Sequence, residues 1–118
     1  GQDMSEKIKE ISFKIFKKAS DYLITKNIIL ADTKFEFGLC DNGNLVLMDE
    51  VLTSDSSRFW ISESYQEGVS PESLDKQFIR DYVKSISWDD SMPPPELPDD
   101  IVCKTFEKYK DLNRILTD

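Results

Sequence analysis

Two stretches concentrate groups able to do chemistry: Asp32-Thr-Lys-Phe-Glu-Phe-Gly38 and Asp49-Glu-Val-Leu-Thr-Ser-Asp-Ser-Ser-Arg58. Strand side chains alternate with period two, which predicts Asp32, Lys34 and Glu36 on one face and Thr33, Phe35 and Phe37 on the other. Asn42-Gly43 between apolar runs is a type I′ hairpin signal. A turn centred there sets Phe37 opposite Met48, Leu39 opposite Val46, and Glu36 opposite Asp49. Directly opposed residues have Cβ atoms about 4.5–5.5 Å apart, where like charges destabilise the ladder. Either Lys34 or a divalent cation answers that repulsion. Two carboxylates with open geometry suit Mg²⁺, which completes its shell with water and phosphate oxygens. A solvated hairpin face with Lys34 beside two acids explains the same residues without a ligand, and a one-residue slip of register separates the pair.

Thr53 to Arg58 is rich in hydroxyls. Such a loop can hold an anion through hydroxyls, backbone N–H groups and a guanidinium fork. Ordinary Ser/Asp turn chemistry, with Arg58 paired to Asp55, is the simpler account of the same residues. Further on, Lys76 and Arg80 lie four apart on a predicted helix. They either face an anion or are surface cations balanced by Asp75 and Asp81.

The elements that position these groups are readable from periodicity. Residues 3–26 form an amphipathic helix with Met4, Ile8, Ile11, Ile15, Ala19 and Tyr22 as its apolar stripe, a capping-box-like start at Asp3 to Glu6, and a stop at Lys26-Asn27. Ile28 to Ala31 is a short buried strand leading into the hairpin, and Leu45 and Leu47 fall on the carboxylate face in the register above. Phe59 and Trp60 anchor the following loop. Ser70-Pro-Glu-Ser73 opens a helix to about Ile86 with Pro71 at its first position. Pro93-Pro-Pro95 and Pro98 mark an extended connector. Asp99 caps a last helix carrying Ile101, Val102, Thr105, Phe106, Tyr109, Leu112 and Leu116. The expected division is 1–27 helix, 28–60 hairpin and loop, 70–86 helix, 87–100 connector and 101–118 helix, an α+β unit in which an antiparallel hairpin packs with helices.

With 118 residues, 39% of them hydrophobic, the chain suits one globular domain. A net charge of −8 argues against a nucleic-acid binder, whose affinity comes from Lys and Arg on phosphates. The chain has no His, so a metal site would be built from oxygens, favouring Mg²⁺, Mn²⁺ or Ca²⁺ over zinc. Cys40 and Cys103 have no motif spacing, which points to a reduced, cytoplasmic protein. No run approaches the ~18–20 apolar residues of a membrane span. The chain begins with Gly and not Met, as expected of a processed or excised part of a longer protein.

Asp32 to Gly38, Asp49 to Trp60 and Asp75-Lys-Gln-Phe-Ile-Arg-Asp81 together resemble the C-terminal half of the phosphoribosylaminoimidazole-succinocarboxamide synthase (SAICAR synthetase) family. The resemblance runs in order from about Ile28 to Leu116, and the Pro-rich connector and last helix match the family's longer members. It implies the C-terminal lobe of a two-lobed α+β fold with a kinase-like nucleotide cleft. It also implies an ATP-dependent ligase of purine biosynthesis that joins carboxyaminoimidazole ribotide to L-aspartate. By the same resemblance Glu36 and Asp49 are the Mg²⁺ ligands. Lys34 contacts phosphate or a substrate carboxylate, Arg58 with Ser57 holds the ribotide phosphate, and Lys76 and Arg80 line the substrate side. Asp32 and Glu50 support these groups, and Leu47 is expected near the adenine of ATP. The implied partners are the two substrates and the N-terminal half of the enzyme, with a homo-oligomer left open and neither nucleic acid nor membrane. Two departures stand out. Ser54 replaces the family's usual Pro, and these residues hold no glycine-rich phosphate loop, which the family carries in its N-terminal lobe. The chain alone is therefore expected to be a partial, inactive site. A small acidic interaction domain and a kinase-type phosphotransferase are the competing expectations.

Overall fold

The computed structural model describes residues 1–118. Its core is formed by Leu23, Ile28, Leu30, Phe59, Leu74 and Leu112, with Phe16, Ala19, Leu52, Ile61, Ile115 and Leu116 packed against them. These residues come from near both ends of the chain and from its middle, so the core closes the molecule onto itself.

Helix α1 spans Gln2–Ile24. Gly1 is its N-cap and no side chain caps it, so the capping box expected at Asp3 does not form and Asp3 instead faces the positive end of the helix dipole from the first turn. Asn27, at φ 59°, takes the left-handed conformation that ends the helix, as the sequence suggested. Strand β1 (Ile28–Thr33) follows and pairs antiparallel with β4 (Ser57–Ile61). The sequence expectation ends the strand at Ala31 and makes Thr53 to Arg58 a loop; the structure extends β1 to Thr33 and makes Ser57 and Arg58 part of β4. Ile28 faces Ile61 and Leu30 faces Phe59, and the register then shifts between Leu30 and Asp32. Period-two alternation alone would send Asp32 inward with Leu30. The bulge reverses the parity: Asp32 emerges on the outer face beside Arg58, while Thr33 meets the buried Ser57.

Asp32, Lys34 and Glu36 therefore do not lie on one continuous strand. The chain breaks at Lys34-Phe35, and β2 (Glu36–Leu39) and β3 (Leu45–Met48) form a separate two-stranded sheet. Its register differs by one residue from that expected: Glu36 opposes Met48, Phe37 opposes Leu47, Gly38 opposes Val46 and Leu39 opposes Leu45. The turn explains the slip. Gly43 N–H donates to Cys40 O at 2.8 Å, Cys40 N–H donates to Asn44 O at 2.9 Å, and only Gly43 has positive φ. The loop is thus the three-residue kind with glycine in the left-handed position, not the type I′ turn, which needs positive φ at both central residues. Leu45 and Leu47 consequently share a face with Phe37 and Leu39, away from Glu36. Met48 lies across Gly38, where a Cβ would meet the Met48 sulfur at 2.2 Å.

Residues 70–76 are not helical. Ile61 N–H donates to Glu72 O at 3.0 Å and Leu74 N–H to Phe59 O at 2.8 Å, so this segment satisfies the second edge of β4 and delivers Leu74 to the core. That demand outweighs the Ser-Pro helix-start signal, and α2 begins only at Gln77 (Gln77–Ser85). Trp88 Nε1–H donates to Pro93 O at 2.9 Å within the connector. Helix α3 (Asp99–Thr117) has Pro98 as its N-cap, so Asp99 sits inside the first turn and does not cap by its side chain. Tyr22 O–H donates to Leu116 O at 2.9 Å, tying α1 to α3. No helix is long and apolar enough to cross a membrane.

Candidate functional site

The bulge in β1 and the strap along β4 converge on one place. Asp32, Thr33, Lys34, Ser56, Arg58, Gln77 and Arg80 line a cavity of about 490 Å³ without a single hydrophobic residue. Three cations face it against one acid, in a chain whose net charge is −8. Local surplus positive charge of this kind is suited to an anion with several oxygens.

Arg58 is held by Asp32. Its Nε–H lies 3.0 Å from each Asp32 carboxylate oxygen, and a terminal N–H also donates to Oδ2. The guanidinium hydrogen bonds hold the Asp32 carboxyl below the usual carboxylate range, and the same contact raises Arg58. The pairing of Arg58 with Asp55 does not occur; Asp55 receives Lys76 Nζ at 2.5 Å, which lowers its carboxyl. Lys76 thus sits next to the cavity and not in its wall. Arg80 donates to Asp75 Oδ2 at 2.9 Å.

Ser57, expected beside the anion, turns inward: it is 4% exposed, and its Oγ lies 2.8 Å from Thr33 Oγ1. Ser56 takes the wall position. Its hydroxyl accepts from Thr53 N–H at 3.2 Å, while Thr53 Oγ1 donates to Glu50 at 2.6 Å, so Glu50 supports the loop. Within this loop Asp49 (φ 62°) and Leu52 (φ 57°) both occupy the left-handed region, a strained conformation for a leucine. Packing of Leu52 against the core cluster holds it there.

Lys34 joins this cavity to the carboxylates. Its Nζ donates to Glu36 Oε1 at 2.6 Å and lies 3.8 Å from Asp49 Oδ2. The contact with Glu36, and more weakly Asp49, raises the Lys34 pKa. Glu36 and Asp49 therefore converge on one cation although they are not opposed in the ladder. Both are half exposed, and no group of three or more acidic or cysteine side chains is placed to hold a metal ion by itself. Two hard, accessible carboxylates with a cation between them fit Mg²⁺, which takes its other ligands from water and phosphate. Leu47 stands on the other face of the hairpin.

Thr33, Ser56 and Gln77 were not singled out from sequence. Gln77 adjoins Lys76, but its place at the start of a helix was hidden by the helix start assigned to residue 70. The bulge that brings Thr33 and Asp32 to the cavity has no residue signature of its own.

The sequence profile of SAICAR synthetase matches residues 1–95. A phosphoribosylaminoimidazole-succinocarboxamide synthase of Cupriavidus metallidurans is 51% identical over 99% of this chain and 40% of that protein. Among solved structures, the SAICAR synthase of Saccharomyces cerevisiae complexed with SAICAR superposes with a TM-score of 0.83 at 43% identity, covering 98% of this chain and 38% of that one. A SAICAR synthetase in complex with ADP gives 0.68 at 33% identity, again over 98% of this chain and 38% of that one. The chain thus spans about 40% of the length of the curated relatives it matches.

Proposed function

The chain belongs to the SAICAR synthetase family, and on that premise we propose that it supplies the metal-binding hairpin and the substrate-anion cleft of an ATP-dependent ligase. The reaction joins carboxyaminoimidazole ribotide to L-aspartate and releases ADP and phosphate. The observation that carries this reading is the convergence of Lys34, Arg58 and Arg80 on one polar cavity, with Lys34 also touching the Glu36–Asp49 carboxylates. Relatives found in complex with SAICAR and with ADP support the substrate class and the nucleotide.

A carboxylate is a poor electrophile, and phosphorylation by ATP converts it to an acyl phosphate, from whose acyl carbon the aspartate amine can displace phosphate. Arg58 holds the ribotide phosphate through the guanidinium N–H groups that Asp32 leaves free, with the Ser56 hydroxyl beside it. Arg80, with Lys76 behind it, adds charge for a second anionic group. Lys34 leaves the carboxylates for a phosphate or substrate carboxylate oxygen. Glu36 and Asp49 would hold Mg²⁺, which neutralises phosphate charge and keeps donor and acceptor in line. Leu47 stands on the hairpin face away from Glu36, so the apolar side chains that share the carboxylate face, and could meet the adenine there, are Val46 and Met48 and not Leu47. Amine attack then depends on positioning more than on a strong base. The free, exposed Cys40 and Cys103 agree with a reducing, cytoplasmic setting.

The cleft is partial, and its nucleotide side comes from the portion of the family's length that this chain does not span. The chain alone should give no succinocarboxamide with ATP, Mg²⁺, aspartate and the carboxylated ribotide. Supplying the remaining portion, in one polypeptide or as a second one, should restore ligation. Failure of the completed protein to form product would overturn the reading and leave an acidic interaction domain of shared ancestry.

A further inference from the structure

Among all the charged groups of the molecule, Asp75 is the one whose burial is complete: its side chain is 0% exposed. Its partner Arg80 is 43% exposed and faces the polar cavity. Burying a carboxylate costs several kcal/mol unless the ion is paired and hydrogen-bonded, and even then such a pair is weak support for stability. The carboxylate has both requirements met: Ser73 O–H donates to one oxygen and Arg80 N–H to the other. What this arrangement achieves is direction. The backbone before Asp75 is pinned by Leu74 N–H on Phe59 O at 2.8 Å and by the Trp60–Ser73 bridge, and Leu74 itself is buried. The anchor is therefore tied by backbone hydrogen bonds to the same β4 strand that carries Arg58.

We propose that Asp75 is a positioning residue for the anion cleft, a fixed buried anchor that orients the Arg80 guanidinium toward the substrate's anionic group. Arginine carries five N–H donors, so the single bond to Asp75 fixes the fork and leaves the rest for the ligand. Arg58 is held charged first by Asp32 and, more weakly, by Asp75 as well, so one buried anion acts on both guanidinium groups. Without it Arg80 would sample many rotamers, and its ordering would oppose binding.

This inference rests on the ligase reading, and two measurements on the longer enzyme carrying this segment separate them. In the first, ¹⁵N NMR of the Arg80 side chain should show a slowly rotating guanidinium in the parent and a mobile one in Asp75→Asn. An unchanged Arg80 signal overturns the proposal whatever the enzyme's activity. In the second, Asp75→Asn should raise KM for one anionic substrate by roughly tenfold to a hundredfold with kcat little changed, since small misplacements of a binding group have effects of that order. Asp75→Asn added to Arg80→Lys should raise KM little beyond Arg80→Lys alone. If the two effects multiply in full, Asp75 acts independently of Arg80 and the proposal fails. A parent that shows a rigid Arg80 but no ligation overturns the ligase reading instead. Melting temperatures of all variants, with Ser73→Ala as a milder loosening of the same anchor, keep a folding defect apart from a binding one.

Discussion

In the β1–β4 ladder Ile28 and Phe59 are each 1% exposed, and the outer edge of β4 is strapped by Glu72 to Leu74. In the β2–β3 hairpin no residue is buried, and Leu39 is 60% exposed. The first ladder carries the cation-rich cavity and the second carries the carboxylates. The cation-rich cavity is thus built on the core of this chain, whereas the carboxylate pair is held by its own turn and by Lys34. Pre-organisation on rigid elements lowers the ordering cost of binding. On the proposed reading, the phosphate side is therefore pre-organised by this chain, whereas the metal side depends on groups beyond its own hairpin.

The sharpest way to break this contrast is to empty the core beneath Arg58. Phe59→Ala should cost about 3–5 kcal/mol in a denaturant titration, while Leu39→Ala on the exposed hairpin should stay within about 0.5 kcal/mol. Equal costs would mean the two ladders are equally supported. Next in size, Arg58→Lys keeps the charge but loses the planar fork. Phosphate or ribotide affinity should fall about tenfold with melting little changed, because charge-assisted bidentate bonds are the strong ones; calorimetry on the complete enzyme reads this directly. Gly43→Ala forces an L side chain to φ 77°, for about 1 kcal/mol of hairpin stability. Hydrogen exchange should show that loss confined to β2–β3, with β1–β4 unaffected.

The smallest effect is in acid. Arg58 depresses the Asp32 pKa in the folded state relative to its ordinary value of 3.8. The stability this pair contributes is therefore fully present above that value and is lost as pH falls through the depressed folded value. Above about pH 4 the parent should melt higher than Asp32→Asn, the gap should close as the pH falls further and the parent loses this component, and the gap should shrink with added salt because the pair is half exposed. A parent and variant with the same acid limb would contradict the pairing.

Much of this site was legible in the residues. The alternation around Phe35 and the Asn42-Gly43 signal located the hairpin, and Asn27 marked the end of α1. The three motifs named the family and gathered Lys34, Glu36, Asp49, Arg58 and Arg80. What could not be read came from contacts distant in sequence. The turn type hung on whether Asn42 or only Gly43 takes positive φ, and that one choice moved Leu45 and Leu47 to the other face. Ser57 and Arg58 look like loop by local rules; β4 is a strand because β1, more than twenty residues earlier, pairs with it. Ser70-Pro71 reads as a helix start by local rules, but Leu74 is needed in the core and the open edge of β4 needs partners. Asp75 looked like a surface counter-ion because nothing local reports its burial.

The most direct test of the central claim is Mg²⁺-dependent ligation by the complete enzyme carrying this segment, with Glu36→Gln compared to the parent. Glu36 is exposed enough that the substitution should leave the melting temperature almost unchanged. The account predicts product in the parent, a loss of roughly a hundredfold or more in the variant, and a shift of the Mg²⁺ dependence to higher concentration. Full activity of Glu36→Gln with an unaltered Mg²⁺ requirement would contradict it, and would place the metal somewhere other than the β2–β3 hairpin.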